Sequence, residues 1–84
     1  MSKADEMFEE EGFEKEFYNR NGDRVEEKDV EVLVYKLEPE TDEIETQIEF
    51  YLEDKDLGIN GIVSLAVFQA INAKVKELGW VENT

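Results

Sequence analysis

The longest periodic pattern in this chain spans residues 64–80, with the sequence SLAVFQAINAKVKELGW. At about 100° per residue, its large apolar side chains share one face of a helix. These side chains are Val67, Phe68, Ile71, Val75 and Leu78. Ser64 precedes the pattern as a predicted N-cap, and Gly79 followed by Trp80 predicts a left-handed stop. We therefore expect one long helix whose apolar face covers the core.

A shorter helix is predicted over residues 4–11, which place acidic side chains in the first helical turn. Gly12 and then Phe13 follow it, in the same glycine-aromatic order that ends the longer helix. Because about two turns of helix are marginal in isolation, we expect Met7 and Phe8 to pack on the core.

The residues between the two helices are typical of strands and turns. Residues 13–18 alternate loosely, and residues 19–23 contain the Asn-Gly signal of a tight turn. Residues 30–37 are β-prone and apolar on both faces, which predicts a central strand. Residues 44–52 alternate cleanly and are expected to pair with residues 30–37 as an antiparallel hairpin. Residues 53–61 are interpreted as an acidic connector to the long helix.

These patterns predict a single α+β domain over residues 1–84, with residues 82–84 frayed. It contains a short N-terminal helix, a three- to four-stranded antiparallel sheet and a long C-terminal helix packed on one face of the sheet. The other face is then open, and it is predicted to carry Glu45, Glu49 and Tyr51.

The net charge of −14 is unevenly distributed. The whole excess lies in residues 1–56, because residues 57–84 contain two acidic and two basic side chains. An acidic surface disfavours direct binding to nucleic acid and to anionic membranes. A basic protein is the natural partner.

The sequence has few features of an enzyme, of a secreted protein or of a membrane protein. It contains no His and no Cys, so imidazole and thiolate chemistry is absent, and we expect neither enzyme activity nor a cofactor. The start has no apolar core like that of a signal peptide, and no apolar run reaches membrane-spanning length. We therefore expect a cytoplasmic protein.

Residues 56–64 partly match the start of an EF-hand loop. Asp56 and Asn60 supply oxygen donors at positions one and five, and Gly61 stands at position six. The bidentate Glu that closes such a loop would be Val67. The alternative is a simple turn that leads to the helix cap, and we favour it over a metal site.

A second stripe on the long helix consists of Ala66, Ala70 and Ala73 at i, i+4 and i+7. Small residues permit the close approach of a partner or a second copy. The alternative is that these alanines are good helix formers on an exposed side. With Glu45, Glu49 and Tyr51 they complete the candidate partner-binding residues of a monomer or weak homodimer.

The two ends of the chain carry a family resemblance. Residues 7–15, MFEEEGFEK, and residues 68–80, FQAINAKVKELGW, resemble small phage and prophage proteins of unknown function from Gram-positive bacteria. Those proteins open with a Met-Phe-Glu-Glu-Leu-Gly-Tyr-like segment and close with a helix that ends in Glu-Leu-Gly-Trp. Here Glu11 replaces the usual apolar residue, and Val67 stands where a capping Glu is common.

The resemblance implies an accessory protein that acts through protein contacts in a bacterial host cell. Three interpretations of the acidic surface stay open. It can serve solubility alone, it can imitate DNA phosphates toward a basic nucleic-acid-binding protein, or it can recruit another basic partner in an assembly role.

Overall fold

A computed structural model describes residues 2–38 and 45–81. Its elements follow the order α1 (Lys3–Glu10), β1 (Glu14–Tyr18), a 3₁₀ turn (Glu27–Asp29), β2 (Val32–Leu37), β3 (Thr46–Tyr51), β4 (Asp56–Asn60) and α2 (Leu65–Glu77). The four strands form one antiparallel sheet in the order β1-β2-β3-β4. The predicted α+β fold is confirmed. Within the described ranges, no helix is long and apolar enough to span a membrane.

The core lies between one face of the sheet and the two helices. On β2 and β3 the register pairs Leu33 with Phe50 and Tyr35 with Ile48, and all four side chains are buried. Phe8 of α1 stacks on Tyr35 with ring centroids 4.0 Å apart. The predicted hairpin and its inward alternation are confirmed, whereas Ile44 and residues 82–84 lie outside the described residues.

Both helices end as predicted. Gly12 has φ +88° and Gly79 has φ +74°, in the left-handed region that glycine adopts at least cost. At each end the aromatic N–H bonds a carbonyl five residues back, Phe13 to Phe8 at 3.0 Å and Trp80 to Val75 at 3.1 Å. These Schellman motifs turn an aromatic ring back toward the core. They give the glycine-aromatic pairs at the two chain ends a structural role.

The predicted connector at residues 53–61 is wrong, because Asp56–Asn60 form strand β4 against β3. The EF-hand interpretation is also wrong, and the favoured turn to the helix cap is limited to residues 61–64, which end at the Ser64 N-cap. Asp56 and Asn60 are at opposite ends of an extended strand, ~13 Å apart at about 3.3 Å per residue. Leu57 and Ile59 alternate on the helix side of this strand, and Gly58 lies between them on the other face, opposite Glu49. A Cβ at Gly58 would lie 3.2 Å from Glu49 Oε1.

The buried face of α2 is rotated from the predicted one. Val67 and Ile71 are buried as expected, but Phe68 is 58% exposed, and Ala70 and Lys74 are buried in its place. The cause is α1, which lies beside α2 and draws Lys74 inward to Asp5, with Nζ 3.3 Å from Oδ1. Periodicity alone cannot show this neighbour.

The contact between α1 and α2 also corrects the prediction that Ala66, Ala70 and Ala73 form a partner-binding stripe. Ala70 is fully buried, Ala73 is half-buried and Ala66 is exposed. Ala70 shares the side of α2 that carries Lys74, which faces α1. The surface that approaches this side therefore belongs to the same chain, and Ala70 does not offer its side chain to a partner.

Candidate protein-binding face of the sheet

Neither helix packs on the second face of the sheet, which we call the open face. Alternation from the strand register defines its members. They are Glu14, Glu16, Tyr18, Val32, Val34, Lys36, Gln47, Glu49, Tyr51, Asp56, Gly58 and Asn60. Its carboxylates all belong to residues 1–56, where the negative charge of the chain resides.

A shallow depression of about 290 Å³ lies on this face. Its floor is Val32 and Val34 of β2, and its walls include Tyr18, Tyr51 and Glu49. Both valines are buried although no helix covers them, because longer side chains on β1 and β3 stand around them. The prediction of a central strand within residues 30–37 is confirmed, since β2 pairs with β1 on one side and β3 on the other.

Two identical tripeptides flank β2, whose Val32 and Val34 form the floor of the depression. Residues 16–18 and residues 49–51 both read Glu-Phe-Tyr. Since β1 and β3 each pair antiparallel to β2, the two copies run in the same direction. Both tyrosines are opposite Val32, and both glutamates are opposite Val34. The open face thus presents the same Glu and Tyr pair twice, once on each side of β2.

The copy on β1 already holds a cation from its own chain. Tyr18 donates its hydroxyl to Glu16 Oε1 at 2.7 Å. Arg24 lies over the Tyr18 ring, with Cζ 5.7 Å from the centroid, and Nη1 is 3.4 Å from Glu16 Oε2. The hydrogen bond to Glu16, with smaller contributions from burial and charge, raises the pKa of the Tyr18 hydroxyl. One guanidinium therefore contacts a ring and a carboxylate together.

The copy on β3 has the same pair without a cation. Tyr51 donates to Glu49 Oε2 at 3.1 Å, and this bond raises the pKa of the Tyr51 hydroxyl, with burial contributing less. Among residues 2–38 and 45–81, no basic side chain forms an ion pair with Glu49 or lies over the Tyr51 ring. Gly58 on the adjacent strand carries no side chain to cover the pair.

Glu45 and Arg20 lie at the margins of the open face. Lys36 Nζ is 3.3 Å from Glu45 Oε1, and hydrogen bonding to Glu45 raises the pKa of Lys36. Arg20 contacts Glu31, Glu53 and Asp54 at 3.0–3.8 Å. Both cations are thus engaged by carboxylates of the chain itself.

The predicted site residues therefore separate into three groups. Glu49 and Tyr51 come together through a hydrogen bond, while Glu45 is paired with Lys36 on the same face. Ala66, Ala70 and Ala73 belong to α2, on the other side of the sheet. Sequence analysis missed Glu16, Tyr18 and Arg24, although the repeated Glu-Phe-Tyr tripeptide was a readable signal for the first two.

A polar cluster on the helix side of the sheet involves Asp5, Lys15, Tyr35, Lys74 and Glu77. Asp5 accepts hydrogen bonds from Tyr35 and, at 2.8 Å, from Lys15. Lys74 is 3.3 Å from Asp5 and 3.7 Å from Glu77. Burial alone would raise the pKa of Asp5, but the bonds from Lys15 and Tyr35 and the charge of Lys74 lower it to about 2.

This cluster has the character of a structural joint. Burial, followed by the bond to Asp5, raises the pKa of Tyr35 far above its ordinary value, so its hydroxyl keeps its proton. Glu77 also accepts from the Ala4 backbone N–H at 2.8 Å, close to the N-terminus of α1. The cluster ties α1, α2 and the sheet together.

Neither the arrangement of acidic side chains nor the comparison with known proteins adds a further assignment. Within the part of the chain that the structure describes, no group of three or more acidic side chains is placed to hold a metal ion. Comparisons with protein-family models, with curated proteins and with solved structures found no match.

Proposed function

We propose that this chain is a non-enzymatic protein-binding domain whose open face takes a basic segment of a partner protein. One observation carries the proposal. Arg24 of the chain occupies the Glu16–Tyr18 pair, whereas the equivalent Glu49–Tyr51 pair has no cation among the described residues. The Arg24 contact supports the same mode of binding for a partner's cation at the Glu49–Tyr51 pair.

The chemistry of the second pair suits an arginine or lysine side chain. The Tyr51 ring supplies a cation–π contact worth about 0.5–2 kcal/mol. Glu49 supplies a charge-assisted hydrogen bond. The aliphatic stem of the incoming residue can lie along Val32 and Val34, which form the apolar floor.

The net charge of −14 supports the same partner at long range, since it attracts a basic surface and accelerates encounter. In its most specific form, the proposal is that the carboxylates of the open face imitate DNA phosphates and bind to a nucleic-acid-binding protein. The resemblance of residues 7–15 and 68–80 supports a phage- or prophage-encoded accessory protein of the bacterial cytoplasm. The neighbouring genes would test that origin.

The test measures the binding of a fluorescently labelled arginine-rich peptide to wild type, to two site variants (Glu49→Gln and Tyr51→Ala) and to one control variant. We expect each site substitution to weaken binding by about five-fold or more, which corresponds to about 1 kcal/mol. Glu9→Gln is the matched control, because Glu9 is an exposed acid on α1 and its loss changes the net charge equally. Equal weakening by Glu9→Gln and Glu49→Gln would refute the site and leave solubility or assembly as the role of the acidity.

A pull-down from a Gram-positive lysate then identifies the partner. Recovery should fall steeply as salt rises, because screening weakens a charged interface. Duplex DNA should compete if the face imitates phosphates, and a partner that resists both salt and DNA would contradict that form of the proposal.

A further inference from the structure

A long segment of this highly charged chain carries no charge. Asp, Glu, Lys and Arg make up 38% of the sequence, yet none occurs in residues 57–73. This segment covers β4 after Asp56 and the first nine residues of α2. Charge is depleted at the centres of protein interfaces, so the segment stands out from the acidic surface around it.

Strand β4 is also an unprotected edge of the sheet. The opposite edge, β1, is covered by the following chain, where Val25 N–H donates to Phe17 O at 3.0 Å and Arg24 bridges to Tyr18. Edge strands are normally blunted by charges, proline or a covering segment. From Leu57 to Asn60, β4 has no charge and no proline, and no strand of the described residues pairs with its outer side.

Large apolar side chains are exposed along this same segment. They are Leu57, Ile59, Ile62, Leu65 and Phe68, with exposed fractions from 41% to 90%. Aromatic side chains bury about 150–250 Å² each, and with about 200 Å² as an upper value for these residues they present at most about 600 Å² of surface. A stable interface buries about 800 Å² on each partner, so this segment supplies most of one.

The helix phase and the strand register place Leu57, Ile59, Leu65 and Phe68 on one side of the molecule, and Ile62 lies in the loop between β4 and α2. Lys74 and Glu77 mark the side of α2 that contacts α1. At about 100° per residue, Leu65 and Phe68 lie about 120–180° away from both. They therefore face away from α1, which packs over Tyr35 of β2. Leu57 and Ile59 of β4 are on the helix side of the sheet, since they pair with buried Phe50 and Ile48.

We propose that this surface, the dimer patch (Leu57, Ile59, Ile62, Leu65 and Phe68), binds a second copy of the chain. Two chains of charge −14 repel each other, and the charge-free segment is where they meet without opposing carboxylates. Antiparallel pairing of two β4 strands about a two-fold axis at Gly58 sets Leu57 opposite Ile59 and Asp56 opposite Asn60. No like charges then face each other.

Such pairing makes one eight-stranded sheet. The helices of both copies lie on the same side, where the dimer patches close on each other. The two open faces lie side by side on the other side and double the surface proposed for a basic partner. The two proposals are separable, because the substitutions that test the dimer, at Ile59 and Ile62, lie outside the open face.

Sedimentation equilibrium tests the dimer directly. We expect wild type to be dimeric at about 100 μM, and Ile59→Lys to weaken association at least about ten-fold. Val81→Lys is the matched control, because Val81 is 47% exposed against 48% for Ile59 and gains the same charge. Raising the salt concentration should strengthen the dimer by screening the repulsion between like-charged chains, opposite to its effect on a basic partner.

Ile62→Lys tests the dimer patch outside β4, so the test does not depend on the folding of Ile59→Lys. Ile62 is 90% exposed, so the substitution costs the monomer little, and it should also yield monomers. A wild-type chain that remains monomeric at about 100 μM in high salt would overturn the proposal. So would dimers of Ile59→Lys and Ile62→Lys as stable as those of wild type.

Discussion

Replacing Asp5 by Asn should destabilise the fold in a manner that depends on pH. Asn preserves the size of the side chain and an oxygen that can accept from Tyr35, but it removes the charge shared by Lys15 and Lys74. Lys74 is left with Glu77 at 3.7 Å as its ion-pair partner. The substitution therefore isolates the electrostatic contribution of this polar cluster to the stability of the fold.

The magnitude follows from the pKa of Asp5, which is lowered from 3.8 to about 2. Each pKa unit corresponds to about 1.36 kcal/mol, so the folded state gains about 2 kcal/mol from the ionised carboxylate. Because the folded pKa is depressed, this stabilisation is fully present above pH 3.8. It is lost as the pH falls through about 2.

Urea denaturation of wild type and Asp5→Asn at pH 7, 4 and 3 measures the effect. Trp80 fluorescence should report unfolding, since its ring lies 5.9 Å from that of Phe50 in the core. We expect a loss of about 2–3 kcal/mol at pH 7, including the cost of leaving Lys74 with less compensation. The difference between the two proteins should narrow below about pH 4.

Glu6→Gln is the control for Asp5→Asn. Glu6 is an exposed acid in the same first turn of α1, so it corrects for net charge and for the helix dipole. Its replacement should cost less than about 0.5 kcal/mol. Equal losses for the two variants, or a difference that stays constant between pH 7 and pH 3, would refute the reasoning.

Two further substitution pairs test the backbone and the helix phase. Gly61→Ala should destabilise by about 1–3 kcal/mol more than Gly22→Ala. Both glycines have positive φ, but a Cβ at Gly61 would lie 2.9 Å from Thr46 Oγ1, while one at Gly22 meets nothing within 4 Å. Equal losses of unfolding free energy in urea denaturation would contradict this contact. At concentrations that favour the monomer, Ile71→Ala should lower the free energy of unfolding by about 2–5 kcal/mol and Phe68→Ala by about 1 kcal/mol or less. The reverse order would contradict the observed rotation of the buried face of α2.

Features set by a few consecutive residues were predictable from the sequence. Ser64 Oγ accepts from Val67 N–H at 3.2 Å as an N-cap does. Asn19 closes the predicted turn by accepting from Asn21 and Asp23. The alternation of β3 correctly directed Glu49 and Tyr51 to the open face. In each case the determining contacts lie within about four residues, or follow from the two-residue period of a strand.

Features set by neighbours distant in sequence were not predictable. Asp56–Asn60 form a strand because they pair with the edge of β3, although Asp, Gly and Asn have low strand propensity. The rotation of the buried face of α2 depends on the contact between Lys74 and Asp5, which are 69 residues apart in the sequence.

By itself the sequence determined the fold class, the ends of both helices, the β2–β3 hairpin and an acidic open face. These depend on local backbone preference and on periodicity, which each segment carries within itself. Only the tertiary structure decided which side of α2 is buried, that β4 is an edge strand, and that two Glu-Phe-Tyr tripeptides flank one valine floor. Those outcomes depend on which segments become neighbours, and strand register and helix packing establish that only in the folded chain.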